Sequence, residues 1–178
     1  MRLFIAIELP LELKKALGKL HRDLPGARWV PAAQIHLTLA FLGEVEEARV
    51  EQLRAELALI HLPPFSLTLT GLGCFPNRQK PRVLWVGLKP QPQLLALVTA
   101  VQRTLRACDL PLDERPFSAH ITLARLKHPA GREREEFFAQ PLSAFPAFPV
   151  HDFILFESRL TPHGAEHNPL SNFLLVPG

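Results

Sequence analysis

His36-Leu37-Thr38-Leu39-Ala40 occurs a second time, with one exchange, as His120-Ile121-Thr122-Leu123-Ala124. Polar and apolar residues alternate in both copies, which is typical of a β-strand with one buried face. Alternate side chains of a strand point to opposite faces, so His36 and Thr38 share one face and the leucines share the other. The repeat therefore predicts two strands that each turn a His-x-Thr pair away from the core.

The segments around the two copies predict an α+β fold. Strands are expected at residues 2–9, 28–30, 35–42, 65–70, 83–88, 117–126, 148–157 and 171–176, and helices over about a dozen residues after Pro10 and at 46–59, 94–108 and 131–138. Short links between some strands require antiparallel pairing. We predict mixed, largely antiparallel sheets in two pseudo-symmetric lobes, with the helices outside and a cleft in the centre.

Composition limits the class of protein. A chain of 178 residues is long enough for one domain with its own core, and 47% hydrophobic residues exclude a disordered chain. The net charge of +3 suits an anionic ligand. Two cysteines form no disulfide framework, and no apolar run reaches the roughly 18 residues that cross a bilayer. We expect a cytoplasmic monomer with no membrane partner and no obligate protein partner.

Two histidines that share a cleft can act as a general acid–base pair. The unperturbed pKa of imidazole is about 6.5, so a neutral ring accepts a proton while a charged ring donates one. Hydrolysis of a cyclic phosphodiester needs both steps, because the attacking water loses a proton and the leaving ribose oxygen gains one. We predict His36 and His120 as catalytic residues, with Thr38 and Thr122 binding the phosphate oxygens.

Arg125 and Phe41 stand five residues after His120 and His36, respectively. A guanidinium group suits a phosphate, and an aromatic ring can stack on a base of single-stranded RNA. An odd spacing in an ideal strand, however, directs two side chains to opposite faces. Arg125 therefore joins the substrate-binding residues only where the strand bends, and for Phe41 strict alternation favours a core position over substrate binding.

The doubled motif resembles the paired H-x-T-x motifs of the 2H phosphoesterases. The flanking residues resemble one branch of that superfamily, the RNA 2′,3′-cyclic phosphodiesterases, which are also called 2′-5′ RNA ligases. The likeness extends over nearly the whole chain and is carried by residues 2–7, Trp29, 41–43, 81–86 and 120–125.

The resemblance implies a single bilobed 2H phosphoesterase domain over residues 1–178 that needs no metal and no cofactor. Its substrate would be RNA with a terminal 2′,3′-cyclic phosphate, tRNA fragments included, and its product a 2′-phosphate; the ligase activity is the reverse reaction. The resemblance also makes His36 the proton donor and His120 the proton acceptor, roles that the sequence itself does not distinguish. Ala119 departs from the Pro-His that commonly precedes the second motif, but the catalytic positions are intact.

Other readings remain open. The same cleft would serve a nucleotide-binding or RNA-end-binding module without turnover, or a phosphodiesterase for a small cyclic nucleotide. Trp29 can stack on a base. His163 and His167 have a spacing seen in metal pairs, but Pro162 and Gly164 indicate a polar loop near the cleft mouth, so no metal ligand is predicted. Five cations can line an RNA path or form a solvated face: Arg28, Arg78, Lys80, Arg82 and Lys127.

Overall fold

The computed structural model describes residues 1–128, 131–142 and 145–178, and its helices and strands follow the periodicity of the sequence. In chain order they are β1 (Arg2–Glu8), α1 (Leu11–Gly18), β2 (Ala27–Trp29), a 3₁₀ turn (Ala32–Gln34), β3 (His36–Glu44), α2 (Glu47–Leu57), β4 (Phe65–Leu67), β5 (Leu69–Phe75), β6 (Val83–Leu88), α3 (Pro92–Ala107), β7 (His120–Leu126), α4 (Glu133–Phe138), β8 (Phe148–Val150), β9 (Asp152–Thr161) and β10 (Gly164–Leu174).

The strands form two main sheets. The first has the order β10-β9-β1-β3, the second has the order β2-β7-β6-β5, and β4 and β8 form a separate pair. Within the described ranges every strand pairing is antiparallel. The predicted α+β fold with largely antiparallel sheets is confirmed.

Strand β1 lies between β9 and β3 in the first sheet, and both of its faces are apolar because each is buried in a hydrophobic cluster. Leu3, Ile5 and Ile7 point into the main core of the molecule. Phe4 and Ala6 point the other way and form a second, smaller cluster with residues of β9. The face of the first sheet that carries Phe4 and Ala6 is also the face that carries the site described below.

Helix α3 shows how the helices cover the core. Its start is set by Pro92 in the first turn and by the side chain of Gln91, which accepts a hydrogen bond from the Gln93 amide. The buried residues of the helix recur every three or four positions and form one apolar stripe: Leu94, Leu97, Val98, Val101 and Leu105. The opposite side of the helix faces solvent.

Two of the predicted strands are each divided in the structure. The segment predicted as one strand at residues 65–70 belongs to β4 and β5, and the segment at 148–157 belongs to β8 and β9. The first piece of each pairs with the other in the small sheet, whereas the second pieces join the two main sheets. The last strand begins at Gly164 rather than at Ser171, because the segment predicted as a polar loop pairs with β9.

The two halves of the chain repeat one arrangement. Each half contains a strand, then a helix, then the strand that carries one copy of the motif, called the motif strand. These elements are β1, α1 and β3 in the first half and β6, α3 and β7 in the second. Each motif strand pairs antiparallel with the strand that precedes the helix. The repeat seen in five residues is therefore also a repeat of topology.

Candidate active site

The two copies of the His-x-Thr motif lie on neighbouring strands of different sheets. Strand β3 is the edge of the first sheet, strand β7 lies between β2 and β6 in the second, and β3 and β7 contact each other where the sheets meet. His36 and His120 are the first residues of these strands. The fold therefore brings together the two segments that carry the predicted catalytic residues.

Both motif strands contain a β-bulge at the same place. In β3, Ile5 pairs with Ala40 and Ala6 pairs with Thr38, so Leu39 is an extra residue. In β7, Leu84 pairs with Ala124 and Trp85 pairs with Thr122, so Leu123 is extra. An extra residue breaks the strict alternation of side chains, and the residues beyond it change faces.

The bulges return Arg125 and Phe41 to the faces that carry His120 and His36. Along β7, Ala124 is buried and Arg125 is exposed, and Phe41 in β3 is 63% exposed. The expectation that Phe41 occupies the core is therefore wrong. The bend that Arg125 required is present, and the two side chains occupy equivalent positions in the two halves of the chain.

Each histidine is oriented by the carbonyl two residues before it. His36 Nδ1 lies 2.6 Å from the Gln34 carbonyl oxygen, and His120 Nδ1 lies 2.8 Å from that of Ser118. Because a carbonyl only accepts, Nδ1 carries the proton in both rings. Nε2 of each neutral ring is then free of a proton, and in His36 it accepts a hydrogen bond from Thr38 Oγ1 at 2.9 Å.

Aromatic rings enclose both imidazoles. The Phe4 ring stacks on His36 at a centroid distance of 5.0 Å, and the Phe75 ring meets His120 edge-on at 4.9 Å. Trp85 lies 6.4 Å from His120 and covers Gly73, where a Cβ atom would approach the indole ring to 2.3 Å. Glycine is required at position 73 because no side chain fits beneath this ring.

Burial among these rings lowers the pKa of both histidines. The pKa of His36 falls from 6.5 to about 4, chiefly because the charged form is desolvated, although the hydrogen bond to Gln34 opposes the shift. The pKa of His120 is also lowered, first by burial and further by the charge of Arg125. Both rings are therefore neutral at pH 7 in the free protein.

His167 is a third imidazole at this site, and the sequence pattern placed it in a loop. It lies in β10, with its ring centroid 5.3 Å from that of His36 and 4.9 Å from that of Phe4. The backbone carbonyl of Ala165 accepts a hydrogen bond from the Gln34 side chain at 2.5 Å, which holds β10 beside the His36 strand. Because the contact forms between distant segments, no local signal could have revealed it.

The charged groups around His36 and His167 come from β1 and α1. Glu8 pairs with His36 across β1 and β3, and its Oε1 lies 2.6 Å from Lys14 Nζ. The Glu8 carboxylate opposes the lowering of the pKa of both histidines, whereas Lys14 contributes to the lowering for His36. The opposite charges of Glu8 and Lys14 therefore partly cancel in their effect on the pKa of His36.

Two other sequence-based hypotheses are changed by the structure. Trp29 packs against Phe137 and His21 and belongs to the core side of β2, so its predicted role in base stacking is wrong. His163 and His167 do not form a metal pair within a loop. In the part of the chain that the structure describes, no three side chains among His, Cys, Asp and Glu are grouped to hold a metal ion.

Comparison with known proteins places both halves of the chain in the same family. The family LigT like Phosphoesterase matches residues 7–85 and, separately, residues 86–165. Each matched range holds one copy of the motif strand. The family model therefore matches each half of the chain around its own copy of the motif.

Individual relatives cover the chain from end to end. A Thermus thermophilus protein named RNA 2′,3′-cyclic phosphodiesterase is 37% identical over 189 residues, which cover 98% of this chain and 90% of that protein. A protein of the same name from Archaeoglobus fulgidus is 31% identical over 176 residues, covering 97% and 99%. The crystal structure of E. coli LigT complexed with 3′-AMP is similar with a TM-score of 0.79 and 30% identity, covering 98% and 97%.

Proposed function

This chain belongs to the LigT-like phosphoesterase family, and from that premise we propose that it hydrolyses the 2′,3′-cyclic phosphate at the end of an RNA to a 2′-phosphate. The observation that carries the proposal is the matched pair of histidines, each with Nδ1 bonded to a carbonyl and Nε2 left for proton transfer. Relatives named RNA 2′,3′-cyclic phosphodiesterase support the substrate class.

In the proposed reaction His120 is the proton acceptor and His36 the proton donor. His120 Nε2 takes a proton from water as the water oxygen attacks phosphorus. The bond between phosphorus and O3′ breaks, and His36 Nε2 gives its proton to O3′, which leaves the phosphate on O2′. An anionic phosphate in the site raises the pKa of His36 and thereby favours the charged donor.

Thr38 links the charge of His36 to the phosphate. While His36 is neutral, the Thr38 hydroxyl donates to Nε2 at 2.9 Å. A charged His36 carries a proton on Nε2, so the hydroxyl is released and can donate to a non-bridging phosphate oxygen. Thr122 holds the equivalent position in β7, and Arg125 supplies a positive charge beside His120. Phe41 provides an exposed ring for the terminal base.

The proposed chemistry draws on both halves of the chain. His36 belongs to the first sheet and His120 to the second, so we propose that residues 1–178 act as one bilobed catalytic unit. We also propose a metal-independent monomer in the cytoplasm, where the free thiols of Cys74 and Cys108 stay reduced. No helix in the described ranges has the length and apolar character to span a membrane.

Phosphorus NMR tests the proposal directly. A short RNA ending in a 2′,3′-cyclic phosphate is incubated with the protein in excess EDTA, and we expect conversion to a 2′-phosphate monoester. A variant that carries His36→Ala and His120→Ala together controls for contaminating nucleases. An unchanged cyclic phosphate would contradict hydrolysis and favour a binding module or another cyclic substrate, and activity that EDTA abolishes would contradict metal independence.

The lowered pKa values predict an acidic optimum. One histidine must be charged and the other neutral, and the pKa values of both lie below 6.5 in the free protein, that of His36 at about 4. Above pH 6.5 both rings are neutral, so the donor is missing; at the lowest pH both are charged, so the acceptor is missing. We expect a bell-shaped plot of kcat/KM against pH with both limbs below pH 6.5.

Replacing His167 should move the acidic limb, the low-pH side of that plot, which is set by the pKa of His36. The charge of His167 lowers the pKa of His36, so His167→Gln is expected to raise the pKa of His36 and shift the acidic limb to higher pH. NMR titration of the His36 ring reports the same shift without turnover. His163→Gln, an exposed residue of the same hairpin, is the matched control. Identical titrations of His36 in all three proteins would contradict the coupling.

A further inference from the structure

The structure distinguishes among the cations that the sequence placed along an RNA path. The Arg78 guanidinium lies 4.4 Å above the Phe138 ring, and Arg82 Nη1 donates to the Lys127 carbonyl. Arg28 differs from both because it lies beside a residue of the site. It pairs with Arg125 across strands β2 and β7.

Arg28 and Arg125 form an unusual pair of like charges. Residues directly opposite on antiparallel strands point to the same face, with Cβ atoms about 5 Å apart, and like charges at such positions repel. Arg125 points to the face of His120, and Arg28 therefore does so as well. Within residues 1–128, 131–142 and 145–178, neither guanidinium forms an ion pair with an acidic side chain.

The tip of the β9–β10 hairpin reaches Arg28 from the other sheet. Gly164 begins β10, and a Cβ atom there would lie 3.9 Å from Arg28 Nη2. The neighbouring Ala165 carbonyl is held by the Gln34 side chain. Arg28 is thus placed where the two sheets approach each other, one strand beyond the strand that carries His120.

We propose that Arg28 forms a second anion site next to Arg125 and holds the phosphodiester on the 5′ side of the terminal cyclic nucleotide, while Arg125 contacts the cyclic phosphate itself. Consecutive phosphates of one RNA strand are separated by a single ribose, so two neighbouring arginine side chains can contact one phosphate each. Binding of these two phosphates offsets the repulsion between the guanidinium groups. The inference rests on the proposed function and adds to it Arg28 as the residue by which the site prefers an oligonucleotide end to a mononucleotide.

The first test compares two substrates with the same terminal base, adenosine 2′,3′-cyclic phosphate and a trinucleotide that ends in it. We expect the wild-type protein to prefer the trinucleotide in kcat/KM by about tenfold or more. Arg28→Gln should raise KM for the trinucleotide about tenfold and leave the mononucleotide within about twofold. The salt dependence of log KM for the trinucleotide should also weaken by about 0.7, the effect of one phosphate contact on a single strand.

A neutral linkage identifies the phosphate concerned. The phosphodiester on the 5′ side of the terminal nucleotide is replaced with an uncharged methylphosphonate. This change should raise KM of the wild-type protein by the same factor as Arg28→Gln, and it should not raise KM of the Arg28→Gln protein any further. Arg103→Gln, on the exposed side of α3, is the control variant.

Three outcomes overturn the inference. Equal kcat/KM for both substrates in the wild-type protein would remove the second site while leaving the proposed function intact. An equal loss on both substrates in Arg28→Gln would place Arg28 at the reacting phosphate instead. Failure of the wild-type protein to hydrolyse either substrate would contradict the proposed function itself, and with it the inference.

Discussion

Replacing either His36 or His120 with alanine is expected to lower kcat by about 10²–10⁴-fold, which is the usual contribution of a general acid or base. Each ring is held on its strand by a hydrogen bond between Nδ1 and a backbone carbonyl, which leaves Nε2 for proton transfer. The measurement is single-turnover hydrolysis of an RNA 2′,3′-cyclic phosphate. His151→Ala, at an exposed position outside the site, should retain the wild-type rate.

A modified substrate separates the acid from the base. When sulfur replaces the 3′ bridging oxygen of the cyclic phosphate, the leaving thiolate needs no proton, because a thiol has a pKa of about 8.5. His36→Ala should then regain most of the lost rate, whereas His120→Ala should not. Rescue of the His120 variant instead would reverse the two roles, and wild-type rates in both alanine variants would contradict the mechanism.

The motif strands could be predicted from the sequence because their period is local. Alternation over five residues is visible without knowledge of the partner strand, and the duplication at His36 and His120 indicated that the two strands share a function. The burial of β1 on both faces was equally visible in its apolar run at residues 3–7. The two strand assignments depend only on residues close together in the chain.

The bulges could not be predicted, because a bulge is a property of two paired strands. Leu39 and Leu123 look like ordinary apolar positions, and only their registers with β1 and β6 show that each is an extra residue. Strict alternation of side chains consequently predicted a core position for Phe41, and it predicted that Arg125 points away from the face of His120. His167 was missed for a related reason, since its contact with His36 joins residues that are far apart in the chain.

Arg125→Gln is expected to lower kcat/KM by about 10²–10³-fold, the range found when one preorganised donor to a developing anion is removed. The bulge at Leu123 turns Arg125 toward the face of His120, and the charge of Arg125 already lowers the pKa of that histidine. Glutamine retains a hydrogen-bond donor but loses the charge and the planar fork that matches a phosphate.

Three variants and one NMR titration test whether the Arg125 guanidinium lies in the site. Arg125→Lys restores the charge without the fork and should recover only part of the loss, while Arg103→Gln on α3 should match the wild-type protein. Loss of the Arg125 charge should also raise the pKa of His120, which NMR titration of its ring detects in the absence of substrate. An Arg125→Gln protein with wild-type kcat/KM and an unshifted His120 would show that the guanidinium stays outside the site, whatever the strand geometry directs.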